Sequence, residues 1–194
     1  MPRHKLRSQG EVVERSNALR NELRAAIARL PDEGTDPAVV DAVWRGEALG
    51  TLLWALQLIE LPAYDHPFDP HEVAAADPAD GALRGSEEIE LECDSARLWH
   101  WRARTTALQA AGTLELPPRY ATFDQLIAAT AMRGYERGVL PAPTRGDFRA
   151  YGKVYRRLSP FEHAEAHSIA LERHHALNWL CGAGATWDAV PLDT

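Results

Sequence analysis

The stretch 37–60, PAVVDAVWRGEALGTLLWALQLIE, decides the fold. Val39, Val40, Val43, Trp44, Leu49, Leu52, Leu53, Trp54, Leu56, Leu58 and Ile59 leave almost no polar face on a 100° wheel. Such a helix belongs at the centre of a domain, wrapped by others. Asp36 caps it, and Pro37 takes the first helical position, where a missing N–H costs nothing. Yet the helix carries Arg45 and Glu47 in its interior.

Further helices flank the central one. Val12, Leu19, Leu23, Ala26, Ile27 and Leu30 recur at helical spacing, predicting a helix over 10–30 that Pro31 ends, followed by a Pro-Asp-Glu-Gly turn. Ser86 opens a third helix, with Glu87, Glu88 and Glu90 in its first turn, where the helix dipole favours anions. Ile89, Cys93, Ala96, Trp99, Ala103 and Ala107 form its stripe, and Gly112 marks its end. Thr122 with Gln125 reads as a capping box for a fourth helix that buries Phe123, Leu126, Ile127 and Ala131. Ser159-Pro160-Phe161-Glu162 is the strongest helix start in the chain, and that fifth helix runs to Cys181.

Between them, 61–85 is rich in Pro and Asp and predicts a long acidic surface loop with at most one short helix near 71–75. The stretch 147–157 alternates apolar and polar residues around Gly152, which suggests a β-hairpin. A tail bearing Trp187 and Asp188 should fold back on the domain. The fold expected is therefore mainly α: one domain over 1–194, about five main helices around a buried central helix, with a minor β-hairpin before the last.

Composition narrows the function classes. The chain has 194 residues, 45% hydrophobic, with six Trp and a formal charge of −7. Residues 1–30 carry seven basic side chains against three acidic ones, spaced like the wet face of a helix. Residues 60–94 carry eleven Asp or Glu against Arg84 alone. This balance argues against a nucleic-acid footprint and favours a protein partner of basic character. The N-terminus lacks an apolar signal region, and the longest apolar run, 48–56, is far too short to span a membrane. A cytoplasmic location follows as the expectation. Cys93 and Cys181 are too few for a disulfide framework and read as reduced, small hydrophobes, with one bridge between them as the alternative.

The last helix concentrates the unusual residues. Arg173 sits mid-face among Ile169, Ala176, Leu177 and Leu180, and a buried guanidinium needs a partner. Glu47 is the matching anomaly, so the two are expected to meet, as a bidentate pair that fixes helix packing or as part of a pocket for an acidic ligand. His100, His174 and Asn178, with Arg45, complete a candidate buried polar cluster. His174 and Asn178, four apart, could bond to one another or line a groove. Trp101 and Arg104 point away from the buried stripe and form a candidate interaction surface. His163 and His167 share a face at a spacing used by zinc, but the run His-Ala-Glu-Ala-His lacks a zincin's general base and a third ligand, so no metal is assigned. No phosphate loop, nucleophile elbow or paired-Cys motif is present, and no cofactor is implied.

These same residues carry a resemblance. Trp44-Arg45-Gly46-Glu47-Ala48-Leu49 with Leu52-Leu53-Trp54-Ala55-Leu56, Leu98-Trp99-His100-Trp101-Arg102-Ala103-Arg104, Gly152-Lys153-Val154-Tyr155, Glu172 to Leu180 and Trp187-Asp188 resemble, in order, the bacterial family catalogued as domain of unknown function 4272. Val154 stands where that family's turn places Pro. The resemblance implies an α-rich fold and no assigned activity. The expected function is a non-catalytic interaction or accessory protein, with a homodimer possible. The alternative is a small-molecule binder or enzyme whose pocket gathers Glu47, His100, Arg173 and His174.

Overall fold

The computed structural model describes residues 5–33, 35–113 and 115–194. Arg3 of the basic start and Gly34 of the first turn lie outside them. Among the described residues the chain is mainly α-helical: α1 (Gln9–Glu33), α2 (Pro37–Ala55), α3 (Pro70–Ala75), α4 (Ser86–Ala110), α5 (Phe123–Glu136) and α6 (Pro160–Leu180), with strands β1 (Arg149–Ala150) and β2 (Lys153–Val154). α1 packs on α2, α2 on α6 and α6 on α4, with α5 against the outer side of α4. One apolar core runs through all these layers.

The second half of α2, Gly46–Ala55, is buried on every side, as its all-apolar wheel requires. Its first half is not: Val40, Val43 and Trp44 are only half-buried, and Arg45 is exposed. The helix also stops at Ala55 rather than continuing to Glu60. Gln57 adopts a left-handed φ of 61°, and Leu58 N–H returns to Leu53 O at 3.0 Å. A glycine ordinarily announces such a stop, and none is present here. The reversal lets Ala82 and Arg84 bond the carbonyls of Leu56 and Ala55, tying the far end of the 61–85 segment to the helix terminus.

That segment is not a plain surface loop. It holds α3 and a 3₁₀ turn at Pro78–Asp80, and it buries Tyr64, Val73, Ala74 and Pro78. Arginines of α1 staple it. Arg20 donates to Ala76 O at 2.8 Å and Arg24 to Ala74 O at 2.9 Å. The basic start is therefore no simple wet face. Pro31 likewise does not end α1, which runs on to Glu33. In the last turn a missing proline N–H removes one bond at an end that is already fraying.

α6 begins at a full capping box, Ser159 Oγ accepting from Glu162 N–H and Glu162 from Ser159 N–H, a device worth about 1 kcal/mol. At α5 only half of the expected box forms. Thr122 accepts from Gln125 N–H, but Gln125 reaches Ala121 N–H instead. The hairpin is shorter than its sequence span: Arg149 pairs with Val154 and Ala150 with Lys153, and Tyr155–Arg157 coils into a 3₁₀ turn. Tyr151 and Gly152 both take positive φ, 52° and 69°, as a two-residue hairpin turn demands. A tyrosine there is strained, and two bonds hold it: its N–H on Asp65 and its hydroxyl on Glu165 at 2.6 Å. On α4 the stripe runs out early, with Ala107 exposed. The tail packs back through Trp187, 5.5 Å from the ring of Trp179.

Candidate functional site

Helix α6 places Arg173 on α2 and the 61–69 segment. Arg173 is 0% exposed and Glu47 3%. Arg173 Nε and Nη2 both lie 2.9 Å from Glu47 Oε2, so the pair converges on one oxygen rather than forming a two-oxygen fork. Glu47 Oε1 accepts instead from Phe68 N–H at 2.7 Å. The remaining donors of Arg173 go to backbone: Nη1 to Pro62 O at 2.6 Å and Ala63 O at 3.3 Å, Nη2 to His66 O at 2.8 Å. Of the five N–H groups of the guanidinium four donate to protein acceptors, and the fifth, on Nη2, lies in ion-pair contact with Glu47 Oε2. Tyr64 and Phe68 cover its faces, 5.1 and 4.9 Å away. Burial pushes the Glu47 carboxyl above its usual range against the pull of Arg173. Nothing on Arg173 is left for an acidic ligand.

The histidines form a separate group, toward α4. His100 Nδ1 and His174 Nδ1 are 2.9 Å apart, with the residues 3% and 0% exposed. One ring must donate and the other accept, so a single proton lies between the two Nδ1 atoms. His174 Nε2 is enclosed without a partner among the described residues. A bare acceptor is tolerated better than a bare N–H, which assigns the shared proton to His174 Nδ1. Burial holds His100 down to about 4, helped by His167 and Arg104. Burial, then His100 and Arg97, hold His174 down to about 3. His167 lies 5.9 Å from His100, while His163 turns away to Tyr155 at 5.2 Å. The two do not converge, and among the described residues no three potential ligands gather for a metal ion.

The proposed single polar cluster is thus divided. Arg45 is exposed and bonds Glu22 at 3.1 Å. Asn178 does not bond His174. It donates to Pro191 O at 2.9 Å and accepts from the Cys93 thiol at 3.4 Å. Both cysteines are reduced and partly buried.

A second buried ion pair escaped sequence reasoning. Arg102 and Asp147, 1% and 0% exposed, form a true fork: Nε to Oδ1 at 2.8 Å and Nη2 to Oδ2 at 3.0 Å. Asp147 also accepts from the N–H groups of Phe148 and Arg156, which docks the hairpin on α4. The only sequence signal was position: Arg102 stands three residues after Trp99, on the buried side.

Trp101 and Arg104 occur where α4 faces outward. Arg97, Trp101 and Arg104 recur at i, i+4 and i+7, one stripe of that helix. Arg104 is exposed, whereas Trp101 is partly buried at the base of a groove of about 370 Å³ between α4 and α5. Gly134 allows that approach: a Cβ there would fall 3.0 Å from Leu98 of α4 and closer still to Leu140. Arg97, Arg119, Arg133 and Arg137 line the groove over a floor of Leu98, Trp101 and Leu126, with Asp193 and Thr194 of the tail also on its wall, Asp193 as its acidic member. Asp94 serves both Arg97, at 2.9 Å, and Arg137. Among the described residues Arg133 bonds only the Tyr120 hydroxyl, at 3.3 Å, and Arg119 lies over the Tyr120 ring at 5.0 Å.

No family model matches the chain, and no curated protein or solved structure is significantly similar to it. Among the described residues no helix is long and apolar enough to cross a membrane. The fold and site therefore define the class alone: a mainly α domain with an arginine-lined surface groove.

Proposed function

We propose that the protein is a non-catalytic binding protein of the cytoplasm whose Trp101 groove receives an acidic segment of a protein partner. The observation that carries this reading is the convergence of Arg97, Arg119, Arg133 and Arg137 on one apolar-floored groove, in a chain whose net charge is −7. Tryptophan and arginine are the commonest anchors of protein interfaces, and a local field opposed to the net charge selects and orients an acidic partner. The acidic 60–94 segment supports a basic partner less well, because much of its charge serves the fold. Asp69 and Asp77 cap helical turns, Glu92 accepts from Tyr64, Glu88 bonds Arg84, and Asp65 and Asp94 bond Tyr151 and Arg97. Kinship with the family catalogued as domain of unknown function 4272 is inferred from the tryptophan blocks and adds no activity.

The test is fluorescence anisotropy of the full chain with a labelled Asp/Glu-rich peptide and its Lys/Arg-rich counterpart. Binding of the acidic peptide is expected, weakened by salt and at least about tenfold by joint Arg119→Glu and Arg133→Glu substitution. Preference for the basic peptide, or binding untouched by charge reversal, overturns the reading. Light scattering on the same variants identifies a second copy of the chain as the occupant, which would also overturn it.

A further inference from the structure

On the opposite side of the molecule from α5, α1, α2, α6 and the Trp187 turn line an open-mouthed cavity of about 340 Å³, separate from the Trp101 groove. Its distinguishing residue is Arg15. The Arg15 guanidinium lies 4.3 Å over the Trp187 indole, and its Nε is enclosed without a hydrogen-bond partner. The two fully buried guanidinia, Arg102 and Arg173, each have a carboxylate at 2.9 Å or closer. Arg15, half-buried, has none among the described residues. Glu22, one helical stretch along α1, is taken by Arg45 at 3.1 Å, and Glu22 and Asp188 act on Arg15 only through space.

We propose that this cavity is a binding site for a small organic monocarboxylate, held by the Arg15 fork. An arginine stacked on an indole is fixed in plane, and with Nε enclosed the paired Nη1 and Nη2 donors are the edge that matches a carboxylate. The cavity's volume lies at the small end of the range for metabolite pockets. The charge count sets the ligand's charge. Of the two lining cations, Arg45 is taken by Glu22 at 3.1 Å, which leaves Arg15 as the cation without a direct ion pair among the described residues, while Asp188 acts on it through space and repels a dianion. Glu172, also lining the cavity, is pushed by burial to about 7, so near neutrality it offers an O–H donor as readily as a repelling charge. His175 completes the wall, its Nε2 3.0 Å from Trp187 O and its ring edge-on to the same indole at 4.4 Å. A ligand that reaches Arg15 therefore also perturbs Trp187.

This site is independent of the Trp101 groove, and the experiment keeps them apart. Proton–nitrogen NMR of the full chain follows the Arg15 Nε–H and the Trp187 indole N–H, the latter assigned with Trp187→Phe, during titration with acetate, pyruvate and benzoate. Succinate, inorganic phosphate and chloride serve as comparisons. At least one monocarboxylate is expected to shift both resonances saturably with a millimolar Kd. Arg15→Lys, which keeps the charge but loses the fork, should weaken that binding about tenfold, and Arg133→Glu should leave it unchanged. Three outcomes overturn the proposal: no saturable shift up to about 10 mM, tighter binding of phosphate or succinate than of every monocarboxylate, or undiminished binding by the Arg15→Lys chain. Because Arg15 makes no ion pair, Arg15→Met is expected to fold as the parent does, and it should show no shift at all.

Discussion

Arg173 Nε donates to Glu47 Oε2 at 2.9 Å across a sequence separation of 126 residues, and every other bond of the pair runs to residues 62–68. The pair thus holds a loop as well as two helices. Residues 61–69 have few regular hydrogen bonds of their own. Without the guanidinium, the carbonyls of Pro62, Ala63 and His66 lose this donor.

Replacing Arg173 by Met leaves Glu47 buried beside those carbonyls, and it should cost about 3–5 kcal/mol in urea denaturation. Glu47→Gln should cost less, because its amide oxygen can still accept from Phe68 N–H. The double variant should cost less than the sum. Hydrogen exchange should show residues 61–69 losing protection first. Single variants that each leave stability unchanged would contradict the pair's role.

This pair was legible in the sequence because each residue broke an apolar pattern of its own helix, one charge on α2 and one on α6. The helices themselves were legible for the same reason, periodicity together with caps such as Asp36 and Ser159. What could not be read is where non-periodic segments attach. Asp147 follows a Pro-rich connector and has no helical stripe to violate, so nothing marked it as the partner of Arg102. The end of α2 at Ala55 was hidden because Gln57 supplies the left-handed residue usually supplied by glycine. The groove under Trp101 depends on Gly134 and on four arginines from three separate segments, a convergence that only the fold creates.

Asp147→Asn tests the second pair. The substitution keeps the size but removes the charge that faces Arg102, 1% exposed, and it should cost about 3–5 kcal/mol. Its effect should centre on the hairpin. Asp147 accepts from Phe148 and Arg156 N–H as well, so exchange protection of residues 148–157 should fall with it. A loss confined to α4 would show that the hairpin docks by apolar packing alone.

The histidine pair sets an acid limit on stability. His100 and His174 titrate near 4 and 3 in the fold against about 6.5 unfolded. Below pH 6.5 the unfolded chain binds protons that the folded chain refuses, so stability is full above 6.5 and falls as pH drops toward 4 and then 3. Each imidazole contributes a slope of about 1.4 kcal/mol per pH unit across its window. His174→Gln should be less steep between pH 6.5 and 4 than the parent, whatever its absolute stability. Urea midpoints measured at half-unit intervals of pH give that slope directly, and an unchanged slope would remove His174 from the account.

Glu172 acts with the opposite sign. Burial raises its carboxyl to about 7, with Asp41 and Glu47 adding to the rise and Arg45 opposing it. Its folded value stands above the unfolded one, so the fold prefers the protonated form and loses stability as pH rises from about 4.5 to 7. Glu172→Gln removes that loss. The variant should be more stable than the parent at pH 8 and should lose this advantage by pH 4.5. Between pH 4.5 and 6.5 the parent experiences both effects. Glu172, with Glu47 and Glu92, also raised by burial, holds its proton in the fold where His100 and His174 refuse theirs, and His163, His167 and His175, all lowered by burial, add to the histidine side. Parent stability through that interval follows the difference between the two groups. Its slope with pH should be more positive in Glu172→Gln, where one opposing carboxyl is gone. Equal slopes in the two chains would place Glu172 at an ordinary carboxylate value and return a full negative charge to the Arg15 cavity.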